Sequence, residues 1–463
     1  MTPGARLQAA IDILTDIDNR PRMPADAIMA QYLKSRRYIG AKDRRNIGEL
    51  VYGILRRRAR LDWWLAREEI TPDARSRMLA DQALTALRSP EDLFDLGIGK
   101  YGLEELSPSE RAYMGRLKGK PIFHHEMPEW VRGEVPEWTV PYLEAAFGEA
   151  LATELGMARE EAPLDLRVNI LKGNRDAAQA ALMAEGLKAE PTPWSPLGLR
   201  LKTRVPLISY TSYRSGLVEV QDEGSQLVAL LAGAKPGMAV VDFCSGAGGK
   251  TLALAAGMDN KGRIVACDIN EVRMNRGQER FRRAGVHNVT RRVLSTEHDK
   301  WIKRSAGSFD RVLVDAPCTG TGTWRRNPDA RWHLSPNDLS ELTALQASIL
   351  DSAARLVKEG GRLVYATCSV LLPENEEQIA AFLARHPEFR LLPLPQVWAE
   401  EAIGTPCPVS GDVLRLSPAG HGTDGFFSAI LERLPNAKPP QPAGAEAVAS
   451  EGEAGDDSAE SLA

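Results

Sequence analysis

The sequence predicts an α/β protein in which a mostly parallel, doubly wound sheet follows an all-α region and a small α/β module. From Ala234 onward, short apolar or β-branched runs alternate with helical stretches, the pattern of parallel strands joined by crossover helices. From Arg6 to about Leu87 the apolar residues instead recur at helical spacing, with Pro21 and Pro24 as the main breaks.

Each element of this fold has its own run of residues. The predicted parallel strands are Ala239 to Phe243, Arg263 to Asp268, Val289 to Leu294, Arg311 to Asp315 and Arg362 to Thr367. A late pair, Val413 to Leu416 and Gly425 to Leu431, is expected to add antiparallel edge strands. Upstream, strand-like pieces at Leu164 to Ile170 and Leu197 to Leu201 flank a predicted helix, Asp176 to Glu185. We therefore expect a helical domain at 1–140, the small module at 141–233, the sheet domain at 234–434 and a disordered tail at 435–463.

Composition excludes several classes of protein. The first 20 residues carry charged side chains among their apolar ones, so we expect no signal peptide. No run approaches the ~20 charge-free apolar residues of a membrane span. The five cysteines form no CxxC pair, which argues against a disulfide framework or a zinc site. We expect a soluble, cytoplasmic protein with free thiols, no membrane association and no metal.

The charge is unevenly distributed along the chain. The formal charge is −4, yet the last 19 residues hold six acidic and no basic side chains, which leaves about +2 on the rest. Between Lys34 and Arg67, eleven Lys or Arg residues stand against three acids, with Tyr and Trp residues interleaved. This stretch suits RNA binding, with Arg44, Arg45 and Arg56 as candidate contacts; a solvated helix face over buried aromatics explains it equally well.

A glycine-rich turn follows the first parallel strand. It runs through Cys244, Ser245, Gly246, Ala247, Gly248, Gly249 and Lys250 into a helix. Open α/β sheets bind ligands at this edge, where glycines allow close approach and a helix N-terminus offers free N–H groups. The next strand ends at Asp268, roughly 20 residues after the last glycine, where an acid accepts hydrogen bonds from ribose hydroxyls. Loop and acid together predict an adenosine-containing cofactor.

S-adenosylmethionine fits this site better than a nicotinamide dinucleotide, because the loop lacks the GxGxxG spacing. Lys250 beside the loop suits contact with the cofactor or with nearby catalytic groups, and a surface helix lysine is the alternative.

Two cysteines follow neighbouring strands at the same edge. The fourth strand runs into Val314 to Gly322, which includes Asp315 and Cys318, and the fifth into Tyr365 to Ser369, which includes Cys368. A lone cysteine after a strand is usually a small buried hydrophobe. Two that face one cleft, one of them close to an acid, indicate chemistry instead.

Several longer segments extend these motifs. They read DAPCTGTGTWRRNPDARW (Asp315 to Trp332), YATCSVLLPENEEQ (Tyr365 to Gln378), VQDEGSQ (Val220 to Gln226), RVNILK (Arg167 to Lys172) and HGTDGFF (His421 to Phe427). Together they resemble the signatures of the Sun/nucleolar-protein family of RNA cytosine-5 methyltransferases. KDRRNIGELVYGILRRR (Lys42 to Arg58) is similar to the NusB-like helical domain of the bacterial branch that acts on small-subunit ribosomal RNA.

The resemblance implies a Rossmann-like class I methyltransferase fold, S-adenosylmethionine as cofactor and RNA as partner, with 16S ribosomal RNA as the expected substrate. Cys368 is implied as the nucleophile that adds to carbon 6 of cytosine, because carbon 5 alone is too weakly nucleophilic to take a methyl group. Cys318 is implied to help remove the carbon 5 proton and release the product. Asp315 is implied to hydrogen-bond the base edge beside the cofactor, and Lys250 to help hold the thiolate.

Arg325, Arg326 and Arg331, which follow the Asp315 motif, are expected either to hold the RNA backbone or to pair with surface carboxylates. Transfer RNA is the alternative substrate, and a non-catalytic RNA-binding ribosome-assembly factor is the alternative function. An exocyclic-amine methyltransferase is disfavoured, because Asp315-Ala316-Pro317-Cys318 is not the Asp/Asn-Pro-Pro-aromatic motif of that chemistry.

The chain departs from the family pattern at two places. The family's usual loop reads CAAPGGKT, whereas this loop has Ser245, Gly246 and Ala247 in its middle and lacks the proline. The third strand usually ends in an acid near the adenine, but here Ser295 and Thr296 follow it.

Overall fold

The computed structural model describes residues 1–97 and 102–435 of the chain, and its amino-terminal region is all-α as predicted. The first helix begins under a side-chain cap, since Thr2 accepts a hydrogen bond from the backbone of Ala5. Ile13, Ile17 and Ile47 are fully buried in the core that these helices share. The helices are α1 (Pro3–Asn19), α2 (Ala25–Ser35), α3 (Ala41–Leu55), α4 (Arg58–Arg67), α5 (Ala74–Leu84), α6 (Pro90–Asp95), α7 (Pro108–Leu117) and α8 (Glu129–Gly133).

A small α/β module follows, as predicted, and two further helices precede it. The helices are α9 (Val140–Phe147) and α10 (Leu151–Arg159). The module then runs β1 (Leu164–Val168), α11 (Arg175–Ala184), β2 (Ala189–Pro191), β3 (Gly198–Leu201), α12 (Thr211–Arg214) and β4 (Val218–Val220). Its four strands pair antiparallel in the order β2-β3-β1-β4. Leu166, Val168 and Leu182 are buried between this sheet and its helices.

The remaining elements build the predicted doubly wound sheet. They are α13 (Glu223–Leu231), β5 (Ala239–Asp242), α14 (Gly249–Gly257), β6 (Arg263–Asp268), α15 (Glu271–Ala284), β7 (Val289–Val293), α16 (Lys300–Arg304), β8 (Phe309–Asp315), α17 (Pro336–Ala354), β9 (Val357–Thr367), α18 (Glu376–Arg385), β10 (Phe389–Leu391), α19 (Leu394–Glu400), β11 (Leu414–Leu416), α20 (Pro418–His421) and β12 (Phe426–Arg433). The sheet order is β10-β12-β9-β8-β5-β6-β7, with β11 against β12.

The direction of each strand places the site. β5 to β9 pair in parallel, so β5, β6, β8 and β9 end at one edge of the sheet. The late strand β12 pairs antiparallel with β9, β10 and β11. Two apolar cores cover the two faces; Val240 and Leu313 lie in one, Val241 and Val314 in the other. Residues that alternate along one strand thus enter opposite cores, as a sheet buried on both faces requires.

The domain boundaries drawn from sequence remain a prediction. Leu227, Val228 and Leu231 of α13 pack in a core of the large sheet, although the predicted module extends to residue 233. Apart from residue 435, the predicted tail lies outside the described residues. None of the described helices is long and apolar enough to cross a membrane.

Candidate active site

The cofactor loop joins β5 to α14 and depends on two left-handed glycines. Gly246 has φ 54° and Gly248, at the start of the helix, has φ 79°. A Cβ atom on Gly248 would lie 2.5 Å from the Phe281 ring, so a side chain does not fit there. Gly246 N donates to an Asp268 carboxylate oxygen at 2.7 Å, and Arg280 donates to Ala247 O at 2.8 Å. The loop is therefore held from both sides.

This loop fits the predicted cofactor. Among the described residues, the backbone N–H groups of Gly249, Lys250 and Thr251 in the first turn of α14 have no hydrogen-bond acceptor. Such free donors at a helix N-terminus suit an anionic group, here the carboxylate of S-adenosylmethionine. The position of Asp268 at the end of β6 suits the ribose hydroxyls. Its carboxylate also accepts from Asn270 N at 2.8 Å, and a carboxylate still has lone pairs for further donors.

Lys250 lies inside the site rather than on the helix surface. Its Nζ donates to Asp315 Oδ2 at 2.7 Å, and only 9% of the lysine side chain is exposed against 31% for the aspartate. Burial opposes its charge, but Asp315 and the nearby Cys368 sulfur raise the pKa of Lys250 above its ordinary value. The lysine therefore remains positively charged beside the cysteine.

The two predicted thiols are in contact. Cys318 follows β8 and Cys368 follows β9, and their Sγ atoms lie 3.4 Å apart. The hydrogen bond to Cys368 and then burial raise the pKa of the Cys318 thiol well above its ordinary value. Cys318 thus holds its proton, and a hydrogen bond joins the two sulfur atoms. Cys244 is free as well, and burial raises the pKa of its thiol.

The sequence analysis missed the buried carboxylate that joins the two cysteine loops. Glu374 is fully buried and accepts hydrogen bonds from Thr319 N at 2.8 Å, from the Thr319 hydroxyl and from the Ser369 hydroxyl. Gln346 donates to the same carboxylate at 3.0 Å. Thr319 follows Cys318 directly and Ser369 follows Cys368 directly, so one side chain fixes both loops. The only sequence signal was an acidic residue within the Cys368 motif.

The burial of Arg325 and Arg331 argues against the RNA contact predicted for them, whereas RNA contact by Arg326, with 20% of its side chain exposed, stays a prediction. Arg331 is fully buried, and it donates to the carbonyl oxygens of Glu134 at 2.6 Å and Trp324 at 2.9 Å. Burial lowers its pKa to about 10. Arg325 is 3% exposed and donates to Asp424 at 2.6 Å. Asp424, the partner of Arg325, is buried as well, and the partners named for Arg331 are carbonyl oxygens rather than carboxylates.

Arg326, whose side chain is 20% exposed, pairs with two buried carboxylates. It donates to Asp222 at 2.7 Å and also to Asp424, so the VQDEGSQ and HGTDGFF segments meet at these arginines. Burial and then Asp222 raise the pKa of Asp424 to about 6, against the two arginines. The cluster ties the segment after Cys318 to the start of β12 and to α13.

The candidate arginines of the helical region lie on α3 and directly after it. Arg45 is exposed on α3, and Arg44 donates to Ile39 O at 2.8 Å. Arg56 donates to Arg325 O at 3.2 Å, on the segment that follows Cys318. That segment also contacts the helical region through Asp329, which accepts from Ala25 N at 2.9 Å. Among residues 1–97 and 102–435, no group of three or more His, Cys, Asp or Glu side chains is arranged to hold a metal.

Comparison with known proteins agrees with this geometry. The family model described as 16S rRNA methyltransferase RsmB/F matches residues 229–432, and an RsmF/B-like ferredoxin-like domain matches residues 135–208. Ribosomal RNA small subunit methyltransferase B of Photorhabdus laumondii is 32% identical over 298 residues, and that of Salmonella newport is 36% identical over 299. Each alignment covers 64% of this chain and 66% of the relative.

A solved structure covers more of the chain. The crystal structure of PH0851 superposes with a TM-score of 0.77 at 27% identity, over 94% of this chain and 99% of that one. The Rossmann-like methyltransferase fold is thereby confirmed, and S-adenosylmethionine is the cofactor that the family uses. The glycine loop, the paired thiols and the two family matches lead to one conclusion: residues 135–208 and 229–432 of the chain belong to the RsmB/F family of methyltransferases.

Proposed function

We propose that the protein is an S-adenosylmethionine-dependent methyltransferase that modifies carbon 5 of a cytosine in small-subunit ribosomal RNA. The observation that carries the proposal is the contact of Cys318 and Cys368 at 3.4 Å, beside the Lys250–Asp315 pair and the glycine loop. The names of the curated relatives support ribosomal RNA as the substrate.

The residues have separate tasks. The bound cofactor supplies an electrophilic methyl group. Cys368 as a thiolate adds to carbon 6 of the base, which leaves an electron pair on carbon 5 for attack on the methyl group. The charged Lys250 stabilises that thiolate before addition, and Asp315 faces the base edge.

Cys318 acts after methyl transfer. A base must take the proton from carbon 5 before the bond between carbon 6 and Cys368 breaks. In the free enzyme the largest cause of the raised Cys318 pKa is its hydrogen bond to Cys368. Bonding of the Cys368 sulfur to carbon 6 removes that cause, so the pKa of Cys318 falls although burial still raises it. Cys318 then passes its proton to solvent, and as a thiolate it takes the proton from carbon 5, whose electron pair forms the carbon 5–carbon 6 double bond as Cys368 leaves as a thiolate.

The test uses small-subunit ribosomal RNA and cofactor labelled in its methyl group, with wild type, Cys368→Ala and Cys318→Ala. We expect label in 5-methylcytosine for wild type, none for Cys368→Ala, and an RNA–protein adduct with Cys318→Ala. Cys407→Ala is the matched control, because Cys407 is a partly buried thiol whose sulfur contacts Val409 O, and it should retain activity.

Other outcomes separate the alternatives. Label in transfer RNA and none in ribosomal RNA would keep the chemistry and change the substrate. No label in any RNA, with RNA still bound, would favour the ribosome-assembly factor.

A further inference from the structure

A large basic cleft lies between the helical region and the small α/β module, away from the two thiols. Its volume is about 870 Å³, and its walls come from α3 and α4, from the end of α10 and from the turn after β3. The cations that line it without a buried carboxylate partner are Arg45, Arg56, Arg159, Lys202 and Arg204. Residues far apart in sequence thus bring positive charge to one concave surface.

The positive charge of the cleft is incompletely neutralised. Arg45 forms no hydrogen bond or ion pair within the described part of the chain. Arg159 donates to the carbonyl oxygen of Arg132, at 2.7 Å, and to no other group that the structure describes. Glu161 pairs with Arg204 at 3.2 Å, but 61% of that glutamate side chain is exposed, so the pair is weak. Glu49 and Glu160 also line the cleft and leave the cations in excess.

Burial opposes the charge of two arginines of the cleft. Burial lowers the pKa of Arg56, and Arg204 and Arg57 lower it further against the opposing effect of Glu161. Burial and then Arg60 lower the pKa of Arg159. Arginine keeps its charge at neutral pH, so this unfavourable energy is retained in the free protein. An anion that enters the cleft would relieve it.

An aromatic ring is exposed among these cations. Phe123 lines the cleft, 43% of it is exposed, and the guanidinium carbons of Arg60 and Arg159 lie 4.3 Å and 5.2 Å from the ring centroid. Exposed rings beside cations are the usual platform on which bases of a single strand stack. A plain phosphate site needs no such ring.

The cleft is connected to the active-site segment. Arg56 lines it and also donates to the carbonyl oxygen of Arg325, on the segment that follows Cys318. Glu160, Glu161 and Ala162 of its wall lead directly into β1, whose Arg167 donates to Gly249 O of the cofactor loop at 2.8 Å.

From these observations we propose that the cleft is a second RNA-binding surface, which holds the backbone of a single-stranded segment outside the target cytosine and stacks one base on Phe123. The inference rests on the proposed function for the identity of the RNA. Each phosphate contact that is lost should lower the slope of log affinity against log salt by about 0.7.

The test compares three variants on one small-subunit ribosomal RNA: the triple Arg159→Gln, Lys202→Gln, Arg204→Gln; Phe123→Ala; and the charge-matched triple Lys188→Gln, Arg214→Gln, Lys300→Gln. The last three side chains are exposed and do not line the cleft. Binding is measured over a range of salt concentrations, methylation on the same RNA, and melting temperature as the check on folding.

We expect the cleft triple to weaken binding at least about tenfold and to lower the salt slope by about 2, with kcat unchanged. Phe123→Ala should weaken binding about tenfold with an unchanged slope, because stacking releases no counterions. The control triple should change the RNA affinity by less than about twofold and leave the salt slope unchanged. Suppose that the wild type methylates the RNA and that the cleft triple binds it with the same affinity and the same salt slope as wild type. This result would overturn the inference about the cleft and leave the proposed function intact. Suppose instead that the wild type binds RNA in a salt-dependent way without methylating it, and that the cleft triple loses this binding. This result would support the inference about the cleft and overturn the proposed function.

Discussion

Two groups of arginines in this protein have the same chemistry and opposite surroundings. Arg325, Arg326 and Arg331 follow the Cys318 motif and are matched by buried carboxylates or carbonyl oxygens. Arg45 and Arg159 line the interdomain cleft, and neither has a carboxylate partner among the described residues. Proximity to a catalytic motif in sequence therefore does not make an arginine available to RNA; the position of the acids in the fold decides it.

The comparison predicts that Arg325, Arg326 and Arg331 contribute to the stability of the fold rather than to RNA binding. Arg325→Ala should lower the free energy of unfolding by about 3–5 kcal/mol, because it leaves the buried Asp424 with one partner fewer. Chemical denaturation measures this, with Lys188→Ala as the exposed control at less than about 0.5 kcal/mol. A loss below about 1 kcal/mol for Arg325→Ala would break the comparison.

Asp242 is a buried carboxylate that accepts from a hydroxyl rather than from an arginine, so it tests the comparison from the side of the acid. Burial raises the pKa of Asp242 to about 7 from 3.8, and its one hydrogen bond comes from Thr251, at 2.6 Å. The folded state holds a proton there that the unfolded state releases, so this group stabilises the fold below about pH 4 and the stability is lost as the pH rises to about 7.

Asp242→Asn mimics the protonated form and should remove this dependence. Relative to wild type, the variant should gain on the order of 3 kcal/mol between pH 4 and pH 7.5. Denaturation curves of both proteins at several pH values give the difference. A pH-independent difference would mean that Asp242 is ionised in the folded protein.

The Glu374 network lies between these cases, since its carboxylate is buried without a cation but has several donors. Glu374→Gln replaces an acceptor with a donor that faces Thr319 and Ser369, so the two cysteine loops should shift. We expect kcat to fall about 10- to 100-fold, with less than about threefold change in KM for the cofactor. The exposed Glu377 of the same segment gives the control, Glu377→Gln. Equal effects of the two variants would remove the positioning role.

Local pattern predicted the elements that are long and buried. All five parallel strands were predicted. β5, β6, β8 and β9 carry the apolar runs that a sheet covered on both faces requires, whereas β7 is a mostly exposed edge strand. The strands that escaped prediction, β2, β4 and β10, have three residues each; β11 is as short, but it was predicted as part of the pair of late strands. Helix α13 likewise gave no local sign that its apolar side joins the large sheet.

In the site too, residues that follow predicted strands were predicted, and contacts between distant segments were not. The glycine loop and the two thiols follow strands, so parallel topology alone predicts that they share an edge. Glu374 and the partners of Arg325 and Arg326 were beyond reach, because Asp222 and Asp424 are brought together only by the fold. No spacing rule encodes a contact between segments that distant.

The smallest expected effect contrasts two arginines that are close in sequence and line the same cleft. Arg45 is exposed and has no partner among residues 1–97 and 102–435, whereas Arg57 donates to the buried Asp81 at 2.7 Å. Arg45→Gln should weaken RNA binding about fourfold at 0.15 M salt, lower the salt slope by about 0.7, and change stability by less than about 0.5 kcal/mol. Arg57→Gln should instead cost about 1–3 kcal/mol of stability, because Asp81 loses its charged donor, and leave the salt slope unchanged. Salt titrations and denaturation of the same two variants test both halves. If Arg57→Gln lowers the slope as much as Arg45→Gln does, an internal carboxylate does not withhold an arginine from RNA, and the distinction between the two groups fails.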